Sequence, residues 1–144
     1  MTEANEGVGF LTRDAADTVD DPVVAERHST PREMATAITT VIRSAIDEYN
    51  LVGRDVANVL NVSPSFVSRL HRQNSSLAAD SNEFERAVLF VRALDALGSM
   101  IGPPTQVREF LYGPHKTLGA PPIKVMQTLE GLVDVTRYFE SLSH

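Results

Sequence analysis

The chain has 144 residues and 42% of them are hydrophobic, which suits a packed core in one domain or in two very small ones. It contains no cysteine, so disulfide bonds and thiolate metal sites are excluded and a cytoplasmic setting is predicted. We expect no signal peptide and no membrane span, because no basic-then-apolar leader and no long apolar run occur.

The net charge of −6 is unevenly distributed along the chain. Residues 1–30 hold seven acidic and two basic side chains, a net charge of −5, so the remainder carries only −1. This acidic stretch has no sustained hydrophobic period. Residues 1–29 are therefore predicted to form a disordered tail.

The first predicted helix covers residues 31–49. Thr30 and Glu33 have the spacing of a capping box, and Pro31 suits the first helical position. Apolar residues then recur at helical spacing: Met34, Ile38, Val41, Ile42, Ala45, Ile46 and Tyr49.

Residues 53–72 predict two short helices, 53–60 and 64–72, joined by a tight turn. Asn61 tolerates the left-handed backbone that such a turn needs, and Ser63 followed by Pro64 is a typical helix start. The apolar positions define one buried seam: Val56, Ala57, Leu60, Val62, Phe66, Val67 and Leu70.

Polar residues of the same stretch point away from that seam, and they suit a reader of the DNA major groove: Ser63, Ser65, Ser68, Arg69 and Arg72. Three arginines and one aspartate give residues 53–72 a local charge of +2. So small a charge implies few phosphate contacts per copy. We therefore expect operator DNA to be bound by a homodimer or by a larger complex.

A polar loop, 73–82, separates this pair from a predicted helix at 83–100. Breaks at 102–104 and 119–122 delimit two short helices, and Thr128 is predicted to cap a last helix whose core residues are Leu132, Val135 and Leu142. No segment alternates as a half-buried strand would. The sequence thus predicts an all-α fold with a helix-turn-helix domain at 30–82 and a second helical domain at 83–144.

The 53–72 stretch resembles the helix-turn-helix of Xre-type, Cro/repressor-like regulators at Val56-Ala57, Leu60, Val62, Val67 and Leu70. Asn61 stands where that family usually has glycine. The resemblance implies that the second helix contacts DNA through the five polar residues named above.

Residues 110–142 are similar to the toxin-binding domain of Xre/MbcA/ParS antitoxins. The matching positions are Phe110-Leu111, Pro114-His115, Leu118-Gly119, Pro122-Ile123, Thr128 and Gly131, with Phe110 in place of the usual Trp and His115 in place of the usual Asn.

The resemblance implies a definite partner, a RES-domain toxin that consumes NAD or a related ADP-ribosylating toxin. The C-terminal domain would block the toxin's active site, and the complex would repress its own operon. The residues expected to contact the toxin are Arg137, Tyr138, Ser141 and His144.

Two other classes of protein compete with this interpretation. A stand-alone Xre-type regulator without a toxin is the alternative. An enzyme is disfavoured because no phosphate-binding loop, Ser-His-Asp arrangement or paired carboxylates stand out, and no cofactor is predicted. No metal site is expected either, since the histidines lack the spacing that would place two on one helical face.

Overall fold

The computed structural model describes residues 30–143. The predicted acidic tail (1–29) and the predicted toxin contact His144 lie outside this range. The described residues form seven helices: α1 (Pro31–Glu48), α2 (Gly53–Leu60), α3 (Pro64–His71), α4 (Asn82–Ile101), α5 (Pro104–Tyr112), α6 (Pro122–Val125) and α7 (Leu129–Leu142). No strand occurs between residues 30 and 143, so the prediction of an all-α fold is confirmed.

The helices begin where the sequence places side-chain caps. Thr30 and Glu33 form the reciprocal capping box, with N–H···O distances of 2.9 and 3.1 Å. The hydroxyls of Ser63 and Thr128 accept hydrogen bonds from the amides of Phe66 and Gly131, as N-cap residues do. These bonds satisfy amides that would otherwise lack a partner at the first turn.

One cluster of buried apolar side chains runs from α1 to α7, and its largest fully buried members include Phe90, Phe139 and Ile42. The long helix α4 packs chiefly against α7, while α2 packs against α3, α4 and α6. Of the predicted seam, Val62 and Phe66 are half-buried and the other five residues are buried. The domain boundary at residue 82 stays a prediction.

The prediction that Leu142 belongs to the core is wrong, because its side chain is 45% exposed. Leu132 and Val135 are fully buried, as expected. The buried face of α7 ends at Phe139, one turn before Leu142. Helical spacing identifies the apolar face of a helix, but it does not reveal how far the packing partner extends along it.

In the part of the chain that the structure describes, no single helix has the length and apolar character needed to cross a membrane. One pair, Asn82–Ile101 with Pro104–Tyr112, meets that test only when joined across a bend of 119°.

Candidate nucleic-acid interface

The turn between α2 and α3 is held in one conformation by its own residues. Asn61 adopts the left-handed region, with φ of 62° and ψ of 48°, as predicted from its residue type. The amide of Val62 donates to the Ala57 carbonyl over 2.9 Å, and Ser63 then caps α3. The direction of α3 relative to α2 is therefore fixed by three successive residues.

Four of the five predicted DNA contacts share one face of α3. Ser65, Ser68, Arg69 and Arg72 are separated by three or four residues, the spacing of neighbours on a helix surface, and all four are exposed. Ser63 has a different position, because its hydroxyl caps α3 and lies 3.2 Å from the Ser65 hydroxyl. The structure thus assembles a compact polar face of two serines and two arginines at the surface.

Both arginines of this face contact neighbours on the same helix. The Arg72 guanidinium donates to the Ser68 hydroxyl over 2.6 Å. The Arg69 guanidinium lies 5.6 Å from the centre of the Phe66 ring, within the range of a cation–π contact. Such contacts restrict the rotamers of long side chains, which lowers the entropy that a ligand must remove on binding.

Helix α1 holds the end of α3, which the sequence analysis missed. The Arg43 side chain donates to the Leu70 carbonyl over 2.9 Å, and an Asp47 carboxylate oxygen lies 2.7 Å from His71 Nε2. Asp47 was interpreted only as part of a solvent face. The available signal was that residues 43 and 47 are four apart and share one side of α1.

The predicted toxin contacts lie at the C-terminal end of α7. Arg137 and Ser141 are exposed on its outer side, whereas Tyr138 is half-buried. The Tyr138 ring meets the His115 ring edge-on at 5.7 Å, and His115 in turn meets Phe110 at 5.4 Å. Three of the four predicted contacts are therefore close together, beside the loop that follows α5.

The two positions that depart from the antitoxin pattern have clear structural roles. His115 Nδ1 lies 3.3 Å from the Leu118 amide, and the His115 carbonyl accepts from the Gly119 amide over 2.9 Å, so this residue closes a turn. The Phe110 ring packs edge-on against the buried Phe139 ring at 5.7 Å. Both substituted side chains thus support the surface around Tyr138.

A buried carboxylate joins the start of α2 to α6 and the residues after it. Asp55 is only 5% exposed, and one of its oxygens accepts from Lys124 Nζ over 3.0 Å and from Gln127 Nε2 over 3.2 Å. The sequence analysis counted Asp55 only as a negative charge. An acidic residue in the first turn of a helix ordinarily indicates a favourable helix dipole, so nothing in the pattern revealed this contact.

Tyr112 makes a second connection to the same region. Its hydroxyl accepts from the Val52 amide over 2.9 Å, and the Arg108 guanidinium lies 4.3 Å from its ring centre. Burial raises the pKa of the Tyr112 phenol, and the nearby Asp55 carboxylate adds to that increase. The phenol is therefore neutral at physiological pH, and it can satisfy the first amide before α2.

Within residues 30–143, no three side chains of the metal-binding types come close enough to hold an ion. No protein-family model matches the chain, and no curated protein is significantly similar to it.

Proposed function

We propose that the chain is a sequence-specific DNA-binding protein in which α3 enters the major groove. The observation that carries this proposal is the single exposed face formed by Ser65, Ser68, Arg69 and Arg72. Arginine and serine are side chains that hydrogen-bond to base edges, and a helix is the element that fits the groove. The capped turn and the contacts from α1 supply the rigidity that such a reader needs.

Within that class, we propose an antitoxin of a type II toxin–antitoxin system. It would act in the cytoplasm without a cofactor, occlude the active site of an NAD-consuming RES-domain toxin, and repress its own operon. The support is the similarity of residues 110–142 to the toxin-binding domain of Xre/MbcA/ParS antitoxins. That similarity extends to mutually dependent positions, since Thr128 caps the amide of Gly131.

A stand-alone regulator of the Xre type is the second candidate, because the DNA-reading face alone accounts for it. The neighbouring gene separates the two candidates. A RES-like coding sequence in the same operon would favour the antitoxin, and purification of the chain from its host without such a partner would favour the regulator.

Replacing either arginine of the reading face is expected to weaken operator binding. Arg69→Ala and Arg72→Ala should each cost roughly 1–3 kcal/mol if these side chains contact bases. Fluorescence anisotropy with DNA from upstream of the gene, at one fixed salt concentration, measures the loss. Arg137→Ala, which removes an exposed arginine on α7, is the matched control and should leave binding unchanged. An equal loss on random DNA would mean that the arginines contact only phosphates.

The toxin-binding prediction needs surface substitutions rather than a shortened chain. Ending the chain after Thr136 would delete Phe139, which is fully buried. Arg137→Glu combined with Ser141→Glu changes only exposed positions and should weaken toxin binding at least about tenfold by introducing like charge or lost contacts. Growth rescue on co-expression with the neighbouring RES gene measures this effect. Arg69→Ala should still rescue, and full rescue by the α7 variant would place the toxin contact elsewhere.

A further inference from the structure

Helix α1 carries an exposed stripe beside its buried face. Met34, Ala37, Val41, Ser44 and Glu48 follow one another at intervals of three or four residues, so they form one line along the helix. Met34 is 49% exposed and Val41 is 44% exposed. Neither residue belongs to the reading face of α3 or to the predicted toxin contacts on α7.

A groove of about 430 Å³ runs beside this stripe, between α1 and α4. Its floor is mainly apolar and includes Ala45, Tyr49, Val91 and Leu94. Its rim carries both signs of charge, from Glu48, Arg92 and Asp95. A surface with both signs can complement a rotated copy of itself, which is what a two-fold interface requires.

We propose that the stripe is the interface between two copies of this chain. The two α1 helices pack antiparallel about a two-fold axis at Val41, and Met34 of each copy enters the α1–α4 groove of the other. The proposal rests on the proposed DNA-binding function, because a reading motif with a local charge of +2 needs two copies to hold an operator.

Distances along the helix fit this arrangement. Met34 and Glu48 each lie seven residues from Val41, which is about 10.5 Å along the axis at 1.5 Å per residue. Met34 of one copy is therefore level with residue 48 of the other, next to the groove residues Ala45 and Tyr49. A flexible thioether is well suited to fill an irregular apolar groove of this kind.

The composition of the stripe also favours an antiparallel pair. Ala37 and Ser44 are small, which permits an interaxial distance of about 8–10 Å. Antiparallel packing brings the Glu48 carboxylate to the N-terminal end of the other helix, where free amides and the helix dipole favour negative charge.

Such a dimer leaves both reading faces free. Helix α3 is held by Arg43 and Asp47, which lie roughly 120–160° around α1 from Val41 at 100° per residue. The two copies can therefore meet through one side of α1 while α3 stays accessible from another side.

A single introduced cysteine tests the axis directly, because the natural chain has none. Val41→Cys places two thiols at the proposed axis, and mild oxidation should convert most of the protein into a disulfide-linked dimer. Val52→Cys is the matched control, since Val52 is also 44% exposed, and it should stay monomeric on a denaturing gel.

Sedimentation velocity on the full chain provides the second test. The wild type should be a dimer at about 100 µM, and Val41→Glu should raise its dissociation constant at least about 100-fold by burying unpaired charge. Val52→Glu should not change it, and circular dichroism should show both variants folded because both positions are exposed.

Two results would overturn the proposal: a chain that stays monomeric at that concentration, where the stripe serves another occupant, or dimers that survive Val41→Glu while the Val41→Cys variant stays unlinked. Failure of the proposed function looks different. A chain that dimerises through Val41 and binds no operator would refute DNA reading while leaving this interface in place. Operator binding by a protein whose Val41→Cys variant does not cross-link would do the reverse.

Discussion

Gly131→Ala is expected to lower the free energy of unfolding by about 3 kcal/mol. Gly131 lies in the first turn of α7, where a Cβ atom would collide with the carbonyl oxygen of Val125 and lie 3.0 Å from the Thr128 hydroxyl. A carbonyl of the main chain cannot move aside as the end of a flexible side chain can. The variant must therefore separate α7 from α6 or lose the Thr128 cap.

Urea unfolding followed by circular dichroism measures this loss. Gly53→Ala is the matched control, because it also places a methyl group at the start of a helix and that methyl would meet no atom within 4 Å. Its stability should stay within about 0.5 kcal/mol of the wild type. If the two alanine variants unfold at the same urea concentration, the close approach of α6 and α7 is not as described.

Lys124→Met is expected to cost about 3 kcal/mol, a large effect for a side chain that is mostly exposed. The reason lies with its partner, because the Asp55 carboxylate is buried and would keep only Gln127 as a polar contact from that side. Solvent near Lys124, whose side chain is 57% exposed, holds the loss at the lower end of the range for broken buried pairs.

A double-mutant cycle separates the buried charge from the loss of packing. Adding Asp55→Leu to Lys124→Met should recover at least half of the lost stability, because no uncompensated carboxylate is left inside. Lys116→Met changes another exposed lysine and should shift stability by no more than about 0.5 kcal/mol. If Lys124→Met behaves as Lys116→Met does, Asp55 does not depend on the ion pair.

Local sequence rules predicted those parts of the molecule that depend on local interactions. Ser63 with Pro64 located the start of α3, and Asn61 indicated the left-handed turn, because a cap or turn residue acts on amides within three positions of itself. Helical spacing likewise identified most of the buried seam. All these inferences need only the chain on either side of the residue.

The errors and omissions concern contacts between elements that are distant in sequence. Leu142 was placed in the core because spacing shows no end to α7's packing partner. Asp55 lies 69 residues from Lys124, and Asp47 lies 24 residues from His71. No periodicity carries information about such pairs. Of the candidate reading face, the residue types and their common side were predictable, but the contacts from α1 that fix its position were not.

The division of labour within α3 has an evolutionary consequence. The residues that anchor this helix, Val67 and Leu70, are buried, whereas the reading face is exposed and makes few contacts with the remainder of the fold. Substitutions at positions 65, 68, 69 and 72 can therefore change the preferred operator with little loss of stability, apart from the link between Ser68 and Arg72. Duplicated copies of such a gene can diverge to separate promoters while keeping one scaffold, and the same four positions are the natural library for redirecting it by selection.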